Sequence, residues 1–218
     1  MTKKIVLVLS CFMLSFGAFA DSGVVIEAKG SVTINNAGKS VKAQTGTSFA
    51  DGATIDVANG GSATLMFSNG ATKKLGSGEK FTAVKAAPGQ NNGTPLVKGI
   101  AMAYNDASKA SKGPSVHAMV KAAPGRKVAA KGDTSLTPER AKLMDADLKQ
   151  INALGLDKDG SSLMQAQIFY KYGQNQKMVD TLLPLYKSQN PPSEMVKNLL
   201  ALGNDKLGKP EEAAKYRK

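Results

Sequence analysis

The side chains best suited to chemistry are few and scattered. The chain carries one histidine, His117, and one cysteine, Cys11. Hydrolysis or group transfer needs a nucleophile with a base, a pair of tuned carboxylates, or a metal. His117 falls in an Ala/Lys-rich stretch, where an exposed or structural imidazole is the expected role. Asp157-Lys158-Asp159-Gly160 opens like a calcium loop, but an EF-hand needs a third ligand before its glycine and a glutamate six residues beyond it. Position 166 is Ala166, so the run is read as a turn into a helix. Asp51 and Asp56 read as turn and strand-edge residues, with a carboxylate pair left open. No phosphate-cradling glycine loop followed by Lys-Ser or Lys-Thr is present. No cofactor or metal is expected, and these residues specify no reaction.

The elements that would position any such site change character along the chain. Residues 46–81 are short extended segments separated by Asp51-Gly52, Gly60-Gly61, Asn69-Gly70 and Gly76-Ser77-Gly78. These pairs tolerate positive φ, and turns this close leave no room for a helix. Thr54–Val57 and Ala63–Phe67 suit a pleated surface, with Ala63, Leu65 and Phe67 on one face and Thr64 and Met66 on the other. Phe67 is therefore expected in the core. Val24–Ile26 and Ser31–Ile34 extend the β pattern upstream, and Asn35-Asn36-Ala37-Gly38 turns the chain toward Val41. Leu96–Tyr104 is a candidate last pair of strands.

From Thr137 the period becomes helical. Thr137-Pro138-Glu139 supplies a cap, a proline where no N–H is needed, and an acid near the positive end. Ala141, Met144, Leu148 and Ile151 form one stripe, ended by Gly155. A second helix carries Leu163, Ala166, Phe169 and Tyr170 and stops at Gly173. The third holds Val179, Leu182, Leu183 and Tyr186, with a bend expected at Pro184. Ser193 is placed as the cap of a fourth, and Pro210 opens a short fifth.

The first 20 residues have the form of a cleavable export signal: Lys3 and Lys4, an apolar run from Ile5 to Phe16, and Ala18-Phe19-Ala20 before Asp21. Cleavage between Ala20 and Asp21 removes Cys11. A lipid anchor on Cys11 is disfavoured by the short apolar run before it. Loss of Lys3 and Lys4 leaves 27 of the 29 basic residues against 17 acidic ones, a net charge of +10. The expected organisation is a signal at 1–20, a β-domain at 21–104 with 136 as an alternative end, a linker at 105–136, and a helical domain at 137–218. The linker is basic and Ala/Lys/Gly-rich, or else a partly ordered extension. It includes Lys121, Arg126, Lys127 and Lys131, the candidate contacts for an anionic partner. Val-Lys-Ala-Ala-Pro-Gly occurs at both 84–89 and 120–125, a weak repeat or chance in a biased stretch.

Gly46, Asp51-Gly52, Ile55, Gly60-Gly61-Ser62-Ala63, Leu65, Phe67 and Asn69-Gly70 together resemble the FecR periplasmic domain. The tail resembles the tetratricopeptide repeat, through Ala166, Phe169, Gly173 and Pro191, with Gly173-Gln174-Asn175 echoed by Gly208-Lys209-Pro210. Met178 departs from that motif, where a small residue is expected. The resemblances imply a two-domain α+β chain. Its first domain is an all-β, Gly-rich sandwich or solenoid, and its second a tetratricopeptide-like helical hairpin domain. With the export signal and the basic stretch, they lead to the expectation of a periplasmic, non-catalytic interaction protein binding an envelope protein or an anionic envelope polymer. The alternative is a polysaccharide-active envelope enzyme with a carboxylate pair. Nucleic acid is disfavoured by the export signal and by the lack of interleaved aromatic and basic residues. The mature chain has no second apolar run of membrane-spanning length, and the oligomeric state is left open.

Overall fold

The computed structural model describes residues 21–68, 71–84 and 132–217. Its first part is all β. Strands β1 (Asp21–Lys29), β2 (Val32–Asn36), β3 (Lys39–Lys42), β4 (Ser48–Ala50), β5 (Thr54–Val57), β6 (Ser62–Phe67), β7 (Thr72–Leu75) and β8 (Lys80–Thr82) form two four-stranded antiparallel sheets. The first sheet runs β4-β1-β6-β7 and the second β3-β2-β5-β8. Gly52, Gly60 and Gly78 all have positive φ, as their turn sequences require. The β2–β3 hairpin turns at Ala37 and Gly38, both at positive φ, which suits the twist of the flanking strands. Asn69-Gly70 and Leu96–Tyr104 lie outside the described residues.

Alternation along the strands sends side chains into two different cores. Val25, Phe49, Ala63, Leu65 and Leu75 of the first sheet meet Val32, Ile34, Ile55 and Val57 of the second, which makes a sandwich rather than a solenoid. Val24, Ile26 and Met66 point the other way and are also fully buried. Helices cover them. One expectation is corrected here: Phe67 is only half-buried, while Phe49 occupies the interior. Phe67 ends β6 near the rim, where its ring stacks edge-on between Phe49 at 5.6 Å and Phe81 at 6.2 Å.

The second part has five helices among the described residues: α1 (Pro138–Ala153), α2 (Lys158–Lys171), α3 (Asn175–Ser188), α4 (Glu194–Lys206) and α5 (Pro210–Lys215). Thr137 caps α1 by accepting from the Arg140 N–H at 3.3 Å, and Asp157 caps α2 by accepting from the Gly160 N–H at 2.8 Å. Ser193 holds the cap position of α4, but its hydroxyl makes no capping bond. Instead the Gln189 Oε1 accepts from the Ser193 N–H at 2.9 Å. Pro184 stands inside α3, which runs through it to Ser188.

The turns at Gly173 and Gly208 share one geometry. Gly173 and Gly208 take φ of 72° and 74°. Gln174 and Lys209, which follow them, both have ψ of 65°. Each turn closes with the same two bonds: Gly173 and Gln174 donate to Tyr170 and Phe169, Gly208 and Lys209 to Asp205 and Asn204. The large Met178 fits because Gly203 on α4 has no side chain. A methyl there would crowd the end of Met178 and the Val179 side chain.

The helices lie on the outer face of the first sheet. Val24, Ile26 and Met66 join one apolar cluster with Leu163, Met164, Val196 and their neighbours. Gly160 brings α2 against the β1 backbone, where a methyl group would overlap the Ile26 carbonyl oxygen. Two turns are also stitched together: the Gln44 Nε2 donates to the Pro191 carbonyl and the Gln189 Nε2 to the Thr45 carbonyl, each at 2.7 Å.

Candidate functional site

Lys121, Arg126, Lys127 and Lys131 lie outside the described residues, as do His117 and Ala20; Asp21 opens β1. The roots of the basic segment are described, and both are fixed. On the sandwich side, the Ala83 N–H donates to the Ala53 carbonyl at 2.8 Å, and the Ala83 carbonyl accepts from Gly52 at 2.7 Å. On the helical side, the Thr134 N–H donates to the Gly173 carbonyl at 3.0 Å. The Thr134 carbonyl accepts from the Gln174 Nε2 at 2.6 Å. Asp133 accepts from the Gln176 N–H at 2.8 Å, satisfying a free amide at the start of α3.

The charge of the chain is distributed unevenly about these roots. Residues 21–84 hold six basic and five acidic residues, and residues 132–217 hold twelve and eleven. Residues 85–131 hold eight basic residues and one acidic one. The two described parts are thus nearly neutral, and the excess positive charge belongs to the segment between their roots.

The most heavily coupled polar group is one the sequence pattern did not flag. Asp147, nearly buried on α1, accepts from the Lys171 Nζ at 2.8 Å and from the Tyr172 hydroxyl at 2.9 Å. Arg140 and Lys171 stand over the Tyr172 ring at 5.9 and 5.1 Å. Its one sequence signal is a charged residue inside the apolar stripe of Met144, Leu148 and Ile151. Burial, reinforced by the bond to Asp147, pushes the Tyr172 phenol from 10.0 up to about 12. The phenol is neutral and donating, which suits a clamp between α1 and α2 rather than a base. Because the unfolded phenol ionises first, stability from this group is full below pH 10 and lost as pH rises to about 12. Wild type should therefore lose on the order of 2 kcal/mol relative to Tyr172→Phe across that window, measured by urea unfolding. A difference between the two that does not change with pH would contradict the clamp.

The two carboxylates left open by sequence occupy separate settings. Asp51 is exposed in the β4–β5 turn. Asp56 is exposed on the outer face of the second sheet, where Lys80 faces it at 4.0 Å. Registers place Lys42, Thr33, Asp56 and Lys80 in one row across that face, and Ser40, Asn35, Thr54 and Thr82 in the next. Among the described residues, no group of three or more His, Cys, Asp or Glu side chains is placed to hold a metal ion.

These features define a β-sandwich with a helical layer on one face and a cationic segment rooted in both. No family model matches the chain, and no curated protein or solved structure matches it either.

Proposed function

We propose that the protein is an exported, non-catalytic interaction protein of the cell envelope, whose cationic segment binds an anionic envelope polymer. The observation that carries this reading is the charge partition: two near-neutral folded parts, with the positive excess between two pinned roots. A uniformly basic surface would attract anions without localising them, whereas concentrated charge makes a defined contact region. The reading also takes the β part as a FecR-like module and the helices as a tetratricopeptide-like scaffold. Positive-φ turns at Gly52 and Gly60 support the first resemblance, and the matching Gly173 and Gly208 turns support the second. The export-signal pattern of residues 1–20 supports a periplasmic location. No helix among the described residues is long and apolar enough to cross a membrane.

The test is to neutralise Lys121, Arg126, Lys127 and Lys131 together as alanines and measure binding to envelope fractions at low and moderate salt. Each cation near an anionic surface contributes about 1 kcal/mol. Affinity at low salt should fall by at least about tenfold, and its salt dependence should flatten because fewer counterions are released. Thermal stability should barely move if these charges serve binding and not folding. Binding indistinguishable from wild type would remove the polymer reading.

A further inference from the structure

We infer that the helical layer separates from the first sheet within the native protein, before either part unfolds. Each part has a core of its own. The sandwich cluster of twelve buried residues includes none from the helices. In the helical cluster, three of the eighteen buried residues, Val24, Ile26 and Met66, come from the sheet. Separation therefore uncovers one sheet face and the helix side chains packed on it, and leaves the sandwich interior and the contacts among the helices in place.

The docked state also holds polar atoms that it does not satisfy. Gln167 is fully buried on α2, and neither its Nε2 nor its Oε1 has a partner. It lies two turns beyond Gly160, on the stripe that Gly160 lays against β1. The Ser193 hydroxyl, buried beside Gly46, is likewise unpartnered. Bulk water reaches these atoms once the layers part, whereas no protein group bonds them in the docked state. Outside the apolar contact, the polar ties across the junction among the described residues include the two amide-to-carbonyl bonds of Gln44 and Gln189, the first of them exposed, and the attraction of Asp157 for Lys29. An interface with its own polar penalty, set between two self-sufficient cores, is the place where this molecule opens.

Thiol labelling tests this in the full chain with Cys11 replaced by Ser. A cysteine at Val24 reports exposure of the sheet face, and one at Ile55 reports opening of the sandwich interior. The Val24→Cys thiol should react at least about tenfold faster, with a weaker dependence on urea, as expected for sub-global opening. Met66→Cys reports the same event if Val24→Cys does not fold. Gln167→Met, which removes the unpartnered amide, should slow labelling at position 24 and leave position 55 unchanged. Equal rates and equal urea dependence at the two positions would overturn the inference. So would equal slowing of both by Gln167→Met.

Discussion

Replacing Phe49 by alanine is expected to cost about 3–5 kcal/mol, enough to unfold most of the sandwich in mild urea. Its ring is fully enclosed between the sheets, and the space it fills cannot close when it is removed. Gly23, opposite Phe49 on β1, has no side chain, and a methyl group there would already overlap the Phe49 ring. Truncation thus leaves a cavity beside a glycine, which has nothing to move into it. Phe67→Ala should cost roughly half as much. Its half-buried ring loses edge contacts with Phe49 and Phe81, and solvent reaches part of the gap. Urea midpoints of the two variants, with unchanged slopes, give the comparison. A larger loss at Phe67 than at Phe49 would mean that the core is assigned to the wrong aromatic.

That ordering shows what a single sequence can and cannot express. Turn and cap signals act over a few residues, so Gly52, Gly60, Gly155, Thr137-Pro138 and Asp157 were legible, and with them an all-β part followed by helices. Period-2 alternation in β6 separated Leu65 from Met66 correctly. It could not reveal that both faces are buried, because the cover on the Met66 face comes from helices about a hundred residues later. Phe49 sits in a three-residue strand, too short to show a period, whereas Phe67 ends the best-patterned strand and drew the assignment. Asp147 showed in the sequence only as a charge inside the apolar stripe of α1, and Gln167 had no local signature as a buried polar group. Their burial is decided by what α1 and α2 pack against. The departure at Met178 became intelligible only with Gly203 facing it.

Gly160→Ala brings two opposing effects into direct competition. Within a helix, alanine is favoured over glycine by up to about 1 kcal/mol, so an isolated α2 would gain from the change. Docked against β1, the added methyl meets the Ile26 carbonyl oxygen, which is backbone and cannot rotate away as a side chain could. Overpacking of this kind costs about 1–3 kcal/mol, so the net result should be destabilisation, larger for Gly160→Val because of its branched side chain. The damage should fall on docking. Helix α2 must rise from the sheet, loosening the cover over Val24 and Ile26, while the Val25, Phe49 and Leu65 interior keeps its contacts. Gly76→Ala provides the control: its Cβ meets nothing within 4 Å and its φ is not positive, so its effect should stay within about 0.5 kcal/mol. Urea unfolding gives the total loss for each variant, and increased dye binding to exposed apolar surface at low urea would place it at the junction. If Gly160→Ala instead stabilises the protein, helix propensity outweighs the contact, and α2 does not rest on β1 as closely as its glycine implies.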